Sequence, residues 1–243
     1  MLRSHGLDIQ TLLIASAVAV TLLPAAAQTP TRILFIGNSL TYWNDGLFSH
    51  LERLAARAQP PIAVTTGRSV VPGAFLKSLW ARPEPRQAIG AGSHDVVVLQ
   101  EDLPETNVED FREHARLFVA EVRKAGARPV LLMAWAYERL GWITMDEIAR
   151  AHRAAATELK VDVAPVGLAW QRATQRRPDL TLLAPDGEHP SVHGTYLATA
   201  VVYATVLAKN PTGISYMPVG VAAEDAQFLQ NVAWETVQEY GRN

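Results

Sequence analysis

Two short stretches carry residues that could perform covalent chemistry together. Phe35-Ile36-Gly37-Asn38-Ser39 ends an apolar run on a glycine and then presents a serine, and Asp186-Gly187-Glu188-His189 lies towards the other end of the chain. A serine hydroxyl is a weak nucleophile at neutral pH. It needs an imidazole to take its proton, and the imidazole needs a third group to hold its tautomer. In an Asp-x-x-His loop the carboxylate can fold back onto Nδ1 of the histidine, which leaves Nε2 free to face a serine from elsewhere. Pro190 biases His189 towards an extended or turn conformation, and Ser191 is placed to cap a helix running from about Val192 to Lys209. Each stretch alone also reads as an ordinary polar turn, so the assignment of Ser39, His189 and Asp186 rests on their combination.

The remaining histidines fit other roles. His50, His114 and His152 fall inside helical patterns, His94 precedes a strand, and His5 sits in an N-terminal leader. His193, on the first turn of the helix after Ser191, ranks below His189 as a base. Glu188, His189 and His193 offer an alternative metal set, because His189 and His193 have the i, i+4 spacing of zinc ligands on a helix. Pro190 interrupts any such helix, however, and no Glu occupies the second position of a His-Glu-x-x-His motif. Ester hydrolysis by a serine needs neither a metal nor an organic cofactor, and none is expected.

The elements that must position these groups can be read from apolar runs. Arg32–Ile36, Ile62–Thr65, Asp95–Leu99, Pro129–Met133 and Asp162–Val166 are short, rich in Val, Ile and Leu, and closed by polar or turn residues. Helical stripes alternate with them: Leu47–Ala58, Glu109–Ala125 and Met145–Lys160, with a closing helix at Ala222–Tyr240. Apolar strands separated by helices predict a parallel sheet covered on both faces, a three-layer α/β domain. Ligands of such sheets bind beyond the carboxyl ends of the strands. Gly37-Asn38-Ser39, Thr66–Ser69, Gln100-Glu101-Asp102 and Ala134–Tyr137 are therefore expected to share one edge.

The chain has 243 residues, 49% hydrophobic and 19% charged, which suits one sizeable core. With 22 Lys+Arg against 24 Asp+Glu and no basic run, nucleic acid is not an expected partner. Thr11–Leu23 is apolar but short for a membrane span, and Pro24-Ala25-Ala26-Ala27 supplies small residues. Residues 1–27 therefore read as a cleavable signal peptide, with a single domain over 28–243, and a secreted or periplasmic location without a membrane anchor is expected. There is no cysteine, so no disulfide contributes.

Gly37-Asn38-Ser39 followed by Asp186-x-x-His189 resembles the SGNH, or GDSL-like, hydrolases, in order along the chain and in fold class. The resemblance implies a central parallel five-stranded sheet of flavodoxin-like type and a serine esterase forming an acyl-enzyme. It also implies an oxyanion hole from the Ser39 N–H, a Gly N–H after the second strand and an Asn side chain after the third. Gly73, just before the helix-like run Ala74–Trp80, is the better match for the Gly than Gly67. The chain departs from the Gly-x-Asn-Asp pattern at Val-Leu-Gln-Glu-Asp, where Gln100 stands in place of the Asn and carries the same amide. Asn38, Tyr42, Trp43, Trp135 and Tyr137 are candidate substrate contacts, with Trp142 nearby; aromatic faces suit sugar rings and acyl chains alike. The expected substrate is a carboxylic ester, with O-acetyl or short acyl groups on a carbohydrate in the lead. A lipase or thioesterase for longer acyl chains, and a non-catalytic carbohydrate-binding protein on a degenerate scaffold, are the alternatives. An α/β-hydrolase is a worse fit, because the Gly-x-Ser-x-Gly elbow is missing.

Overall fold

The five apolar runs form one parallel sheet at the centre of the molecule. In the computed structural model, which describes Met1, Thr29 and residues 31–242 other than Glu138, the strands are β1 (Thr31–Gly37), β2 (Val64–Val70), β3 (Val96–Gln100), β4 (Arg128–Leu132) and β5 (Asp162–Ala164). Their order is β2-β1-β3-β4-β5, with every neighbouring pair parallel. The signal-peptide reading of residues 1–27 falls, Met1 apart, outside the described residues. No helix among the described residues is long and apolar enough to cross a membrane.

Alternation along each strand divides the core in two. Ile33, Phe35, Val98, Val130 and Leu132 face one layer, made by α2 (Gly46–Ala56), α7 (Val166–Arg176), α8 (Val192–Leu207) and α9 (Ala223–Tyr240). Leu34, Ile36, Val97, Leu99 and Leu131 face the other, made by α3 (Leu76–Trp80), α4 (Pro83–Gly90), α5 (Val108–Lys124) and α6 (Met145–Leu159). Burial on both faces is why β3 reads as an unbroken Val-Val-Val-Leu run. The helix α8 is apolar all round and lies buried beneath α9 and beside α2 and α7. Ser191 caps it, its Oγ accepting from the Gly194 N–H at 3.2 Å.

Two differences from the sequence reading bear on the site. The edge strand β2 starts and ends later than Ile62–Thr65, so Thr66–Ser69 lie inside it and not beyond it. Its end is set by its register: Gly37 pairs with Val70, and the Val71 N–H donates to the Gly37 carbonyl at 3.0 Å. The turn holding Gly73 therefore follows β2 directly beside the exit of β1. The second difference is a short helix, α1 (Ser39–Tyr42), which begins on the serine itself.

The sheet order reverses between β1 and β3. That reversal is the crevice where flavodoxin-type sheets bind ligands, and it brings Ser39 and Gln100-Glu101-Asp102 together. A cavity of about 840 Å³ opens at the opposite edge, among Thr31, Asp95, Arg128, Tyr203 and Lys209. It lies at the amino ends of the strands, away from these residues.

Gly194 is where α8 packs closest. A Cβ there would meet the Leu182 carbonyl oxygen and the Trp170 ring at 2.3 Å each. Gly194→Ala is expected to destabilise the fold by about 2 kcal/mol or more, read as a lowered urea midpoint. Gly90→Ala, whose Cβ meets nothing within 4 Å, serves as the control, with an expected change within about 0.5 kcal/mol.

Candidate active site

The hydrogen-bond chain expected from the sequence is present. Ser39 Oγ lies 2.9 Å from His189 Nε2, and His189 Nδ1 lies 2.9 Å from Asp186 Oδ2. The other Asp186 oxygen accepts the backbone N–H groups of Glu188 and His189, at 3.0 and 2.9 Å. Burial tends to raise the Asp186 pKa, but these two N–H donors and His189 outweigh it, and the carboxyl is held below its ordinary value. An ionised Asp186 accepts the Nδ1 proton of His189, which leaves the Nε2 lone pair to accept the Ser39 hydroxyl proton.

The loop bearing Asp186 and His189 is closed by its own backbone. The Ala184 N–H donates to the His189 carbonyl at 2.7 Å and the Ser191 N–H to the Leu182 carbonyl at 2.7 Å. Gly187, with φ of 70°, supplies the left-handed residue that the reversal needs. The exit of β4 clamps the loop from outside, with Trp135 Nε1–H donating to the Glu188 carbonyl at 2.9 Å and Arg139 pairing with the Glu188 carboxylate at 2.7 Å. Arg139 also pairs with Glu105. From the β1 side, Asn44 Nδ2 donates to the Pro190 carbonyl at 2.8 Å and to Thr195 Oγ1 at 2.9 Å.

Asn38, the residue before Ser39, is held on every polar atom. The Asn38 N–H donates to Gln100 Oε1 at 2.8 Å, its Nδ2 to Asp102 Oδ2 at 2.7 Å, and its Oδ1 accepts from the Leu40 N–H at 3.0 Å. The last of these caps α1. Among the described residues the N–H groups of Ser39 and Gly73 have no protein acceptor. Both remain free to donate to a bound oxyanion.

Several expected substrate contacts prove to be supports. Gln100 is fully buried, its oxygen on Asn38 and its NH₂ donating to the Glu101 carbonyl at 3.0 Å, so it faces no substrate and is not the third oxyanion donor. A Cβ on Gly37 would come within 2.5 Å of Gln100 Oε1; the glycine is there to let this side chain pass. Asn38 is buried as well. Trp135 is buried and stacks on Trp170 with ring centroids 4.0 Å apart, and buried Tyr137 donates its hydroxyl to Asp102 at 2.6 Å. Neither is a substrate wall. Tyr42 is partly buried against the core. Trp43 stacks on the His189 ring at 4.0 Å and 24°, and is 36% exposed, so it borders the reacting groups.

The zinc alternative does not assemble. Glu188 turns to Arg139, His193 faces Asp225 of α9 at 3.4 Å, and His189 is engaged by Ser39 and Asp186. The residues that sequence reasoning missed are Asn44, Glu101, Asp102 and Arg139. Only Glu101 and Asp102 carried a signal, since they directly follow β3 at the ligand-binding edge.

No family model matches the chain, and no curated protein matches it. Solved structures do. A DUF4886 family protein from Bacteroides uniformis is 18% identical, with a TM-score of 0.74 over 86% of this chain and 95% of its own. A putative SGNH hydrolase from Slackia heliotrinireducens is 27% identical, with a TM-score of 0.61 over 73% of this chain and 100% of its own. The acetylxylan esterase Axe2 from Geobacillus stearothermophilus is 18% identical, with a TM-score of 0.56 over 77% and 95%. The fold is that of the SGNH hydrolases.

Glu101 and Asp102 are adjacent carboxyls buried at the end of β3. Burial pushes Glu101 up to about 7, against the N–H donors of Asp102 and Leu76 that favour its ionised form. Raised acid pKa values mean that the folded state holds protons the unfolded chain has released. That contribution to stability is present at low pH and lost as pH rises from the unfolded value through about 7. His152, buried and pushed down to about 4, acts in the opposite sense below its ordinary pKa. The informative quantity is therefore the melting temperature of Glu101→Gln minus that of the wild type. It is expected to increase steadily between about pH 5 and pH 7.5; a flat difference would mean that Glu101 titrates normally.

Proposed function

We propose that the protein is an exported serine esterase that hydrolyses carboxylic esters, with short acyl groups on a carbohydrate as the favoured substrate. The observation that carries this reading is the continuous hydrogen-bond chain Ser39–His189–Asp186 at the carboxyl edge of the sheet. Ser39 Oγ attacks the ester carbonyl while His189 Nε2 takes its proton. The developing oxyanion is received by the N–H groups of Ser39 and Gly73. His189 then returns the proton to the leaving alcohol, and Asp186 stabilises the imidazolium in between. A water molecule, activated by the same histidine, hydrolyses the acyl-enzyme.

The carbohydrate preference is supported by the partly exposed Trp43 ring beside His189 and by the likeness to Axe2, an acetylxylan esterase. The proposal of export is supported by the leader composition over residues 1–27. Hydrolysis of acetylated sugars and of 4-nitrophenyl esters of increasing chain length gives the test. Ser39→Ala is expected to lower kcat by at least about 10³-fold and to abolish fluorophosphonate labelling. Asp186→Asn is expected to cost about 10²- to 10⁴-fold with labelling slowed in parallel. Undiminished hydrolysis by Ser39→Ala would sink the serine mechanism. Activity that grows with acyl length would favour a lipase or thioesterase.

A further inference from the structure

We propose that Asp102 is a positioning residue for the nucleophile, acting through Asn38, and that its ionised form is the working one. The inference deepens the esterase reading and rests on it. Asp102 sits at the exit of β3, next to the exit of β1, and is buried. One of its oxygens accepts from Asn38 Nδ2 at 2.7 Å and the other from the Tyr137 hydroxyl at 2.6 Å. Its backbone N–H is held by Glu101 at 2.9 Å. Both carboxylate oxygens therefore act as acceptors for buried donors, and charge-assisted bonds of this kind are the stronger ones.

The consequence reaches Ser39 through the orientation of one amide. Asn38 must point Oδ1 at the Leu40 N–H to cap α1, and so must point Nδ2 the other way. Only an acceptor at position 102 favours that orientation. Gln100 holds the Gly37–Asn38 peptide through the Asn38 N–H, and the Asn38 carbonyl accepts from the Thr41 N–H and hydroxyl at 3.0 and 2.7 Å, so the peptide between Asn38 and Ser39 has a single setting. That setting aims the Ser39 N–H and fixes the start of its side chain. A shift of this peptide would move the nucleophile and one oxyanion donor together.

Protonation would remove the charge that strengthens both bonds, and a proton on the oxygen facing Asn38 Nδ2 would set donor against donor. The groups around it are Tyr137 and Arg139 from the exit of β4, Glu101 and Glu105 on its own segment, and Glu188 from the triad loop. Burial raises its pKa to about 6, Tyr137 and Asn38 lower it, and the charges of Glu105 and Glu188 raise it further. The grip on Asn38 should thus weaken in mildly acidic solution, independently of His189.

The experiment compares the wild type, Asp102→Asn and Tyr137→Phe for kcat and KM on a short-chain ester. Second-order labelling of Ser39 by a fluorophosphonate is followed from about pH 4.5 to pH 8.5. Asp102→Asn is expected to lower kcat about 10- to 100-fold with KM changed less than about threefold. Its deficit in labelling rate should shrink below about pH 6, where the wild type itself loses the carboxylate. Tyr137→Phe leaves the bond to Asn38 in place and should show a smaller loss in the same direction. If Asp102→Asn fails to melt cooperatively, Tyr137→Phe decides, by whether its labelling profile moves in pH. An Asp102→Asn enzyme within about twofold of wild type, or a deficit equal at every pH, would overturn the proposal. Absence of labelling in the wild type, or labelling that survives Ser39→Ala, would overturn the serine mechanism and this inference with it.

Discussion

Ser39 and His189 are 150 residues apart in sequence, and the proposed chemistry depends on holding Ser39 Oγ and His189 Nε2 2.9 Å apart. One hydrogen bond, worth about 1 kcal/mol net, cannot impose that distance. The distance is imposed by two rigid loops whose supports come from other elements. Gln100 and Asp102 hold the loop of Ser39 from β3. Trp135 and Arg139 hold the loop of His189 from the exit of β4. Asn44 ties the two loops to each other through the Pro190 carbonyl. The parallel sheet is what allows this, since it delivers three strand exits to one crevice.

Those supports require polar side chains inside the protein, which is unfavourable unless each atom is satisfied. The solution at the end of β3 is dense pairing. Gln100 uses both ends of its amide, Glu101 accepts from the N–H groups of Leu76 and Asp102, and Asp102 accepts from Asn38 and Tyr137. None of the three has a cation as its direct hydrogen-bond partner. Burial therefore shows as raised acid pKa values and not as a buried ion pair. The ion pairs elsewhere, such as Arg32–Asp95 and Arg112–Glu158, lie on the surface, where such pairs contribute little. Among the described residues the buried carboxyls, Glu101 and Asp102, lie where positioning is needed.

What could be read from the sequence follows the same physics. Strands buried on both faces announce themselves as apolar runs, so β1, β3, β4 and β5 were legible to within a few residues. The edge strand β2 was not, because Val-Thr-Thr-Gly-Arg-Ser-Val is half exposed and resembles a loop. That Ser39, Asp186 and His189 come together was legible because their types and order are those one chemistry would need. Gln100, Trp135 and Tyr137 were misassigned because an amide or an aromatic ring serves equally well at a site's surface or beneath it. Only burial decides between these, and burial depends on packing between distant segments. Asp102 was visible as a strand-end acid, but its role needed Asn38 beside it.

Asn38 stands where the Gly-Asp-Ser motif of the SGNH hydrolases has Asp, as Gln100 stands in place of the Asn of Gly-x-Asn-Asp, and the two residues are linked by one contact. An Asp in place of Asn38, as in a Gly-Asp-Ser motif, would set its carboxylate 2.7 Å from that of Asp102 in a buried site. Two such charges cannot both remain ionised there. With Asn at 38 the pair becomes a donor and an acceptor, and the nucleophile loop gains an anchor in β3. Gln100 completes that anchor by reaching past Gly37 to the Asn38 N–H, which takes its amide away from the substrate side. In the proposed mechanism the oxyanion is then left to the backbone donors of Ser39 and Gly73. These cost no side-chain ordering, provided that the Asn38–Ser39 peptide does not move. The precision lost with a side-chain donor is thus recovered by gripping the backbone that carries the remaining ones.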